Sequence, residues 1–241
     1  MHIVLTGATG LVGSATLRQC LVSANISRVS ILSRRQFALP EDIDTSKATI
    51  IVHDNYDEYP PSLLQQLKGA DACIWAQGIS QTQVDKNEYI RITYDYPLAA
   101  AKAFSTLSEK DHFNFVHVSG EGADPNEKAW TLFGKIKGRA ELALRGLPSM
   151  PAHSALSVFN VRPGLVGPPA TQTGFKSKVM KPLYPVLTAL VPAHMVTLPP
   201  VVAKVLVDIA VGDGRPLQPG IGVEDEGRTL RCAGIRRMAG L

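Results

Sequence analysis

The residues of this 241-residue chain whose types and spacing could do chemistry begin at its start. The run Ile3 to Ser14 is an apolar stretch entering Gly7, Gly10 and Gly13, spaced G-x-x-G-x-x-G, and then a helix-forming segment. A turn of this kind must double back, let an anion approach bare backbone, and allow the helix to pack closely on the strand. The helix opening near Leu11 offers unpaired N–H groups and the positive end of its dipole, with Ser14 as an extra donor. Gly7, Gly10, Leu11, Val12 and Gly13 are thus the expected phosphate-binding residues. An ordinary tight turn is the competing reading. The strand before, the helix after and the alternation behind argue against it.

A second group follows the next apolar run, Arg28 to Ser33, which ends on Arg34 and Arg35. In dinucleotide folds this position faces the adenine ribose, where an acid bonds a free 2′-hydroxyl and an arginine accommodates a 2′-phosphate. No acid stands here. The planar guanidinium fork suits phosphate, so Arg34 and Arg35 point to NADP(H); two solvated surface arginines are the plain alternative. Asp54, after the run Thr49 to Val52, is expected near the adenine, with His53 beside it as scaffold. Gly78, after Asp71 to Ala76, is expected to admit the cofactor ribose. Ser119 closes the run Phe113 to Ser119 and puts a hydroxyl where open α/β sheets bind ligands, although serine is also a common turn former.

These positions require strands and helices in alternation, and the periodicity supplies them. Helices are expected over Leu11 to Ala24, Pro61 to Leu67, Asp85 to Ala103 with a kink at Pro97, Ala129 to Arg145, and Val201 to Val211. Strand six is expected over Ser157 to Gly164. Asp85 with Glu88 three residues on reads as a helix N-terminus. The fold expected is α/β, a doubly wound parallel sheet in a single domain over 1–241. Residues 168–200, with Lys176, Lys178, Lys181 and prolines 182, 185, 192 and 199, read as a substrate-side lid or a plain connection.

Composition narrows the classes. The chain is 45% hydrophobic and 19% charged, enough for one sizeable core. Cys20, Cys73 and Cys232 are odd in number and widely spaced, which argues against a disulfide framework or a zinc site. A net charge of +4 is spread along the chain without aromatic interleaving, so nucleic acid is not expected. No apolar run approaches membrane-spanning length, and the first residues are already strand and loop, so no presequence is expected and a cytoplasmic location is.

The opening loop resembles the T-G-A-x-G-x-x-G signature of extended and atypical short-chain dehydrogenase/reductases. Lys137, Gly138 and Glu141 match that family's Y-x-x-x-K-G-x-x-E pattern, with Phe133 in place of the tyrosine. Arg162-Pro163-Gly164 matches the R-P-G it carries at the edge of the nicotinamide and substrate pocket. With Ser119-Gly120, the arginine pair and Leu198 to Ala203, nearly the whole chain resembles the atypical members similar to the Tat-interacting-protein oxidoreductase group, described as NADP(H)-binding. The resemblance implies that Ser119 bonds the substrate oxygen, that Lys137 holds the nicotinamide ribose, and that Phe133 lines the pocket without a proton to give. A positioned general acid contributes about 10² to 10⁴ in rate, so ordinary carbonyl reduction is expected to suffer. Three readings follow: an NADP(H)-dependent reductase of a small hydrophobic carbonyl or enone with another proton source (Ser119, water, Lys137, Tyr89, Tyr94 or Tyr184); a non-redox isomerase or cyclase; and an NADP(H)-sensing regulatory protein. Relatives commonly dimerise through helices flanking strands four and five, so a homodimer is a further expectation.

Overall fold

A computed structural model describes residues 1–167, 192 and 195–241. Its strands are β1 (His2–Thr6), β2 (Arg28–Ser33), β3 (Ala48–Val52), β4 (Ala72–Trp75), β5 (Phe113–Val118), β6 (Leu156–Arg162), β7 (Leu165–Val166), β8 (Val196–Thr197), β9 (Val223–Glu224) and β10 (Thr229–Arg231). Its helices are α1 (Leu11–Val22), α2 (Pro61–Leu67), α3 (Lys86–Ile90), α4 (Tyr96–Phe104), α5 (Leu132–Gly146), α6 (Pro199–Ala210) and α7 (Cys232–Met238). The main sheet runs β3-β2-β1-β4-β5-β6-β10-β9. Its pairings are parallel except the last, β10 with β9. Strand order reverses between β1 and β4, which opens the crevice where such sheets bind ligands.

Every residue of β1, β4 and β5 is buried, as expected of parallel strands covered on both faces. Alternate side chains feed two cores. Ile3, Leu5, Ile31, Ile74, Val116 and Val161 pack under α1 and α6, with Leu17, Leu21, Val205 and Leu206. Val4, Leu32, Cys73, Trp75, Phe115 and Val158 pack on the other side, with Leu63, Leu67, Tyr96, Phe104 and Leu144. The three cysteines are free and buried. Asn114, buried within β5, donates through Nδ2 to the carbonyls of Ala210 at 3.1 Å and Gly212 at 2.9 Å, closing the carboxyl end of α6 where backbone oxygens lack helical partners.

Three local expectations change. The Pro97 kink is instead a π-helical turn, Arg91–Asp95, between α3 and α4. A proline removes one helical N–H and its ring crowds the carbonyl four residues back, and the wider turn accommodates both. The helix expected from Ala129 starts at Leu132, because the Thr131 side chain accepts the Gly134 N–H at 3.0 Å and caps it. The chain does not finish with α6: β9, β10 and α7 follow. The N-cap reading of Asp85 holds, its Oδ1 accepting from Asn87 N at 2.8 Å and Glu88 N at 3.0 Å. The expected substrate-side segment, with Tyr184 and the three lysines, lies outside the described residues apart from Pro192 and Met195–Pro200. The β7–β8 pair joins Leu165–Val166, just before this segment, to Val196–Thr197 near its end. Among the described residues no helix is long and apolar enough to cross a membrane.

Candidate active site

Parallel registry brings the candidate residues to one edge of the sheet. Thr6 pairs with Leu32 and Trp75, and Trp75 with His117, so Gly7, Ser33-Arg34, Gly78 and Ser119 all follow strand ends at similar height. At the loop between β1 and α1, Gly7 has φ +69°, and a Cβ there would strike the Ala76 carbonyl and Gln77 N. A Cβ on Gly13 would strike the Gly7 carbonyl. Both positions therefore need glycine for space, and Gly7 for its backbone as well. Gly10 donates to Gly7 O at 2.8 Å and precedes α1 without a side-chain cap. Leu11, Val12 and Gly13 form the first turn of α1, which carries no carboxylate. An uncapped, acid-free helix start behind a glycine turn fits a dinucleotide pyrophosphate.

Arg34 and Arg35 are exposed. Ser33 fixes the turn that carries them, its hydroxyl donating to Arg35 O at 2.8 Å. Asp54 is exposed just beyond β3. The backbone N–H of His53 donates to Ser33 O at 2.9 Å, its ring packs on Tyr56 and Tyr59, and burial lowers its pKa. Gly78 is exposed with open space where a Cβ would stand, so nothing in the protein itself demands glycine there.

The other half of the site lies where β5 meets α5. Ser119 is 6% exposed and its Oγ has no hydrogen-bond partner among the described residues. An unpaired buried hydroxyl is costly unless a ligand completes it. Lys137 reaches the same strand end, donating from Nζ to Val118 O at 2.9 Å. Burial of its ammonium lowers the pKa to about 8, against the pull of the Glu141 carboxylate. Phe133, one turn earlier on the same face of α5, sets its Cζ 2.7 Å from where a Cβ of Gly120 would stand. Phe133, Lys137 and Ser119 thus meet around a single turn. Of the tyrosines named as alternative proton sources, Tyr94 lies beneath the Arg139 guanidinium at 4.2 Å, and Tyr89 is buried.

Gly138 and Glu141 have structural duties. A Cβ on Gly138 would strike the Asp124 backbone, so glycine lets the 124–125 loop cross α5. Glu141, 0% exposed, holds Arg162 through Nε at 2.9 Å and NH2 at 2.5 Å, which fastens α5 to β6. The arginine of R-P-G therefore turns into this pair, and it also reaches Glu224 at 3.2 Å. Gln81 and Glu121 were not foreseen. Gln81 Oε1 accepts the Phe133 N–H at 2.7 Å and Glu121 accepts the Cys232 N–H at 2.8 Å. Each pairs with residues far along the chain, and no local pattern marks them.

No protein-family model matches the chain. A protein of Purpureocillium lilacinum described as leucinostatins biosynthesis cluster protein T is 30% identical over 262 residues, spanning 98% of this chain and 94% of the relative. Protein HTATIP2 of Rattus norvegicus is 26% identical over 165 residues, spanning 68% of this chain and 62% of the relative. Among solved structures, an oxidoreductase of the short-chain dehydrogenase/reductase family from Burkholderia thailandensis superposes with a TM-score of 0.66 at 16% identity, covering 99% of this chain and 95% of that one.

Proposed function

Because the chain belongs to the atypical short-chain dehydrogenase/reductases, we propose that it is an NADP(H)-dependent enzyme acting on a small hydrophobic carbonyl or enone substrate. Phe133 against Gly120, where Ser119 and Lys137 converge, is the observation that carries the reading. The residues that would hold the cofactor are Gly7, Gly10, Leu11, Val12 and Gly13 at the pyrophosphate, Arg34 and Arg35 at a 2′-phosphate, Asp54 near the adenine, Gly78 where a cofactor ribose approaches the backbone, and Lys137 at the nicotinamide ribose. Bound NADPH supplies a hydride.

Ser119 donates its unpaired hydroxyl to the substrate oxygen and polarises the carbonyl. Lys137, releasing Val118 O, places its ammonium on ribose hydroxyls and lends positive charge to the same region. Phe133 offers an apolar wall, and it has no proton to donate. This division of labour favours an enone, whose α-carbon takes its proton from solvent, over a simple ketone, whose oxygen needs a positioned acid. The same missing hydroxyl supports a second reading, an isomerase or cyclase in which Ser119 polarises the substrate without net reduction. A protein that senses NADP(H) without turnover is the third.

Calorimetric titration with NADPH, NADP⁺ and NADH, followed by NADPH consumption against ketones and enones by wild type and Phe133→Tyr, separates these readings. Tight NADPH binding with enone turnover in the wild type is the expected result. Binding with turnover only in the tyrosine variant would favour non-redox chemistry or sensing. Absence of binding would remove the cofactor assignment.

A further inference from the structure

The turn after β5 is held by more than strand pairing. Ser119 N donates to Val161 O at 2.8 Å and Glu121 N to Pro163 O at 3.0 Å. These bonds fix the path along β6. The Glu121 carboxylate extends the hold past β6 to the next strand, β10, and to α7: Oε1 accepts the Cys232 N–H at 2.8 Å, and Oε2 accepts from Arg231 through NH2 at 3.0 Å and Nε at 3.2 Å. The Glu121 side chain is 10% exposed and that of Arg231 45%, so the carboxylate is largely withdrawn from solvent and its bonds are charge-assisted, while the guanidinium keeps one side in water.

The same carboxylate begins a continuous relay of charge. Arg231 also bonds Glu224 at 3.3 Å, Glu224 bonds Arg162 at 3.2 Å, and Arg162 bonds Glu141. Glu141 lies one helical turn beyond Lys137 on α5. Ser119 and Lys137, the groups assigned to the substrate oxygen and the ribose, thus sit near the two ends of one chain of carboxylates and guanidiniums. Cys232 packs its Sγ 3.0 Å from where a Cβ of Gly164 would stand, which seats α7 on the turn after β6.

We propose that Glu121 is a positioning residue for Ser119, clamping the Ser119–Gly120 turn to the amino end of α7, so that the β10–α7 unit belongs to the active-site frame. The inference rests on the catalytic reading of Ser119 given above. Misplacing a catalytic group by about 1 Å can cost on the order of 10²-fold in rate, so a clamp of this kind bears on turnover while leaving the phosphate loop, which it does not touch, alone.

The test compares wild type, Glu121→Ala, Glu121→Gln and Arg231→Met by NADPH calorimetry, by NADPH oxidation with cinnamaldehyde and 2-cyclohexen-1-one as probes, and by amide hydrogen exchange. Glu121→Ala is expected to lower kcat about ten-fold or more with the NADPH Kd unchanged within about two-fold. Glu121→Gln, which keeps an acceptor for Cys232 N, should recover most of the loss. Exchange should accelerate at residues 117–123 and not at 1–33. An unchanged kcat, a parallel loss of kcat and NADPH affinity, or unaltered exchange at 117–123 would overturn the proposal. If Glu121→Ala does not fold, Arg231→Met removes two of the three bonds and must show the same pattern more weakly. Should the wild type turn over neither probe, the enzyme reading fails separately and the exchange result alone decides whether the clamp exists.

Discussion

Replacing Glu141 by glutamine removes one charge from the buried pair that joins α5 to β6. The carboxylate is 0% exposed and Arg162 is 6% exposed, with guanidinium contacts at 2.9 and 2.5 Å. Breaking such a pair by removing one partner costs about 3–5 kcal/mol, chiefly because the other charge stays buried without compensation. Glutamine keeps the volume and one acceptor, and Arg162 retains Glu224 at 3.2 Å, so the lower end, about 3 kcal/mol, is expected. An unfolding entropy of about 2.1 cal/mol/K per residue gives roughly 0.5 kcal/mol/K for a chain of 241 residues. The melting temperature should therefore fall by about 6 °C. Urea unfolding followed by far-UV circular dichroism, alongside thermal melts, measures both quantities. The double variant Glu141→Leu/Arg162→Met should regain most of the loss, since a buried ion pair replaced whole by apolar groups is often neutral. A loss below about 1 kcal/mol for Glu141→Gln, the scale of an exposed pair, would refute the assignment of this contact as a buried fastener.

Arg34→Ala/Arg35→Ala should weaken NADPH binding about ten-fold or more, each ten-fold being roughly 1.4 kcal/mol, with little change for NADH; equal loss of both in calorimetry would remove the 2′-phosphate assignment. Burial lowers His2 to about 4 and His117 to about 3, from 6.5. The unfolded chain then binds more protons below pH 6.5, so stability falls as pH drops from there toward 4; urea midpoints that stay flat between pH 7 and 5 would contradict this. Lys137 is lowered from 10.5 to about 8, so the unfolded chain holds the extra proton between those values and stability rises with pH across that window. Lys137→Met should accordingly be more stable than wild type at pH 7, with the advantage fading toward pH 10.5, and its NADPH affinity should be lower. A variant less stable than wild type at pH 7 would speak against the buried ammonium.

The parts of the fold that rest on short-range pattern were legible in the sequence. β2 runs over Arg28–Ser33 as the alternation indicates, and the glycine loop stands between β1 and α1 because its steric demands are local. The elements after α6 carry no such signal. β10 is three residues long and exists because Thr229, Leu230 and Arg231 pair with Asn160, Val161 and Arg162. α7 opens on Arg231, which supplies no side-chain cap, and Glu121 provides the acceptor from across the fold. In the candidate site, the lysine, phenylalanine and serine could be named from motif spacing. Gln81 and Glu121 could not, since their partners lie far away in sequence. The glutamate of K-G-x-x-E and the arginine of R-P-G are visible separately, and only the packing of α5 on β6 shows that they are two halves of one contact.

The small β7–β8 ladder carries a consequence for chain length. Leu165 and Val166 pair with Val196 and Thr197, Gly167 N bonds Thr197 O at 3.2 Å, and Arg236 donates to Val196 O at 3.0 Å. The chain that departs after β7 is thus required to return to a fixed seam. Once the ends are joined, each doubling of the intervening length costs only about 0.6 kcal/mol of closure entropy. Changes in the length of chain between these strands therefore carry little penalty to the sheet, because the seam that receives them is held by its own bonds.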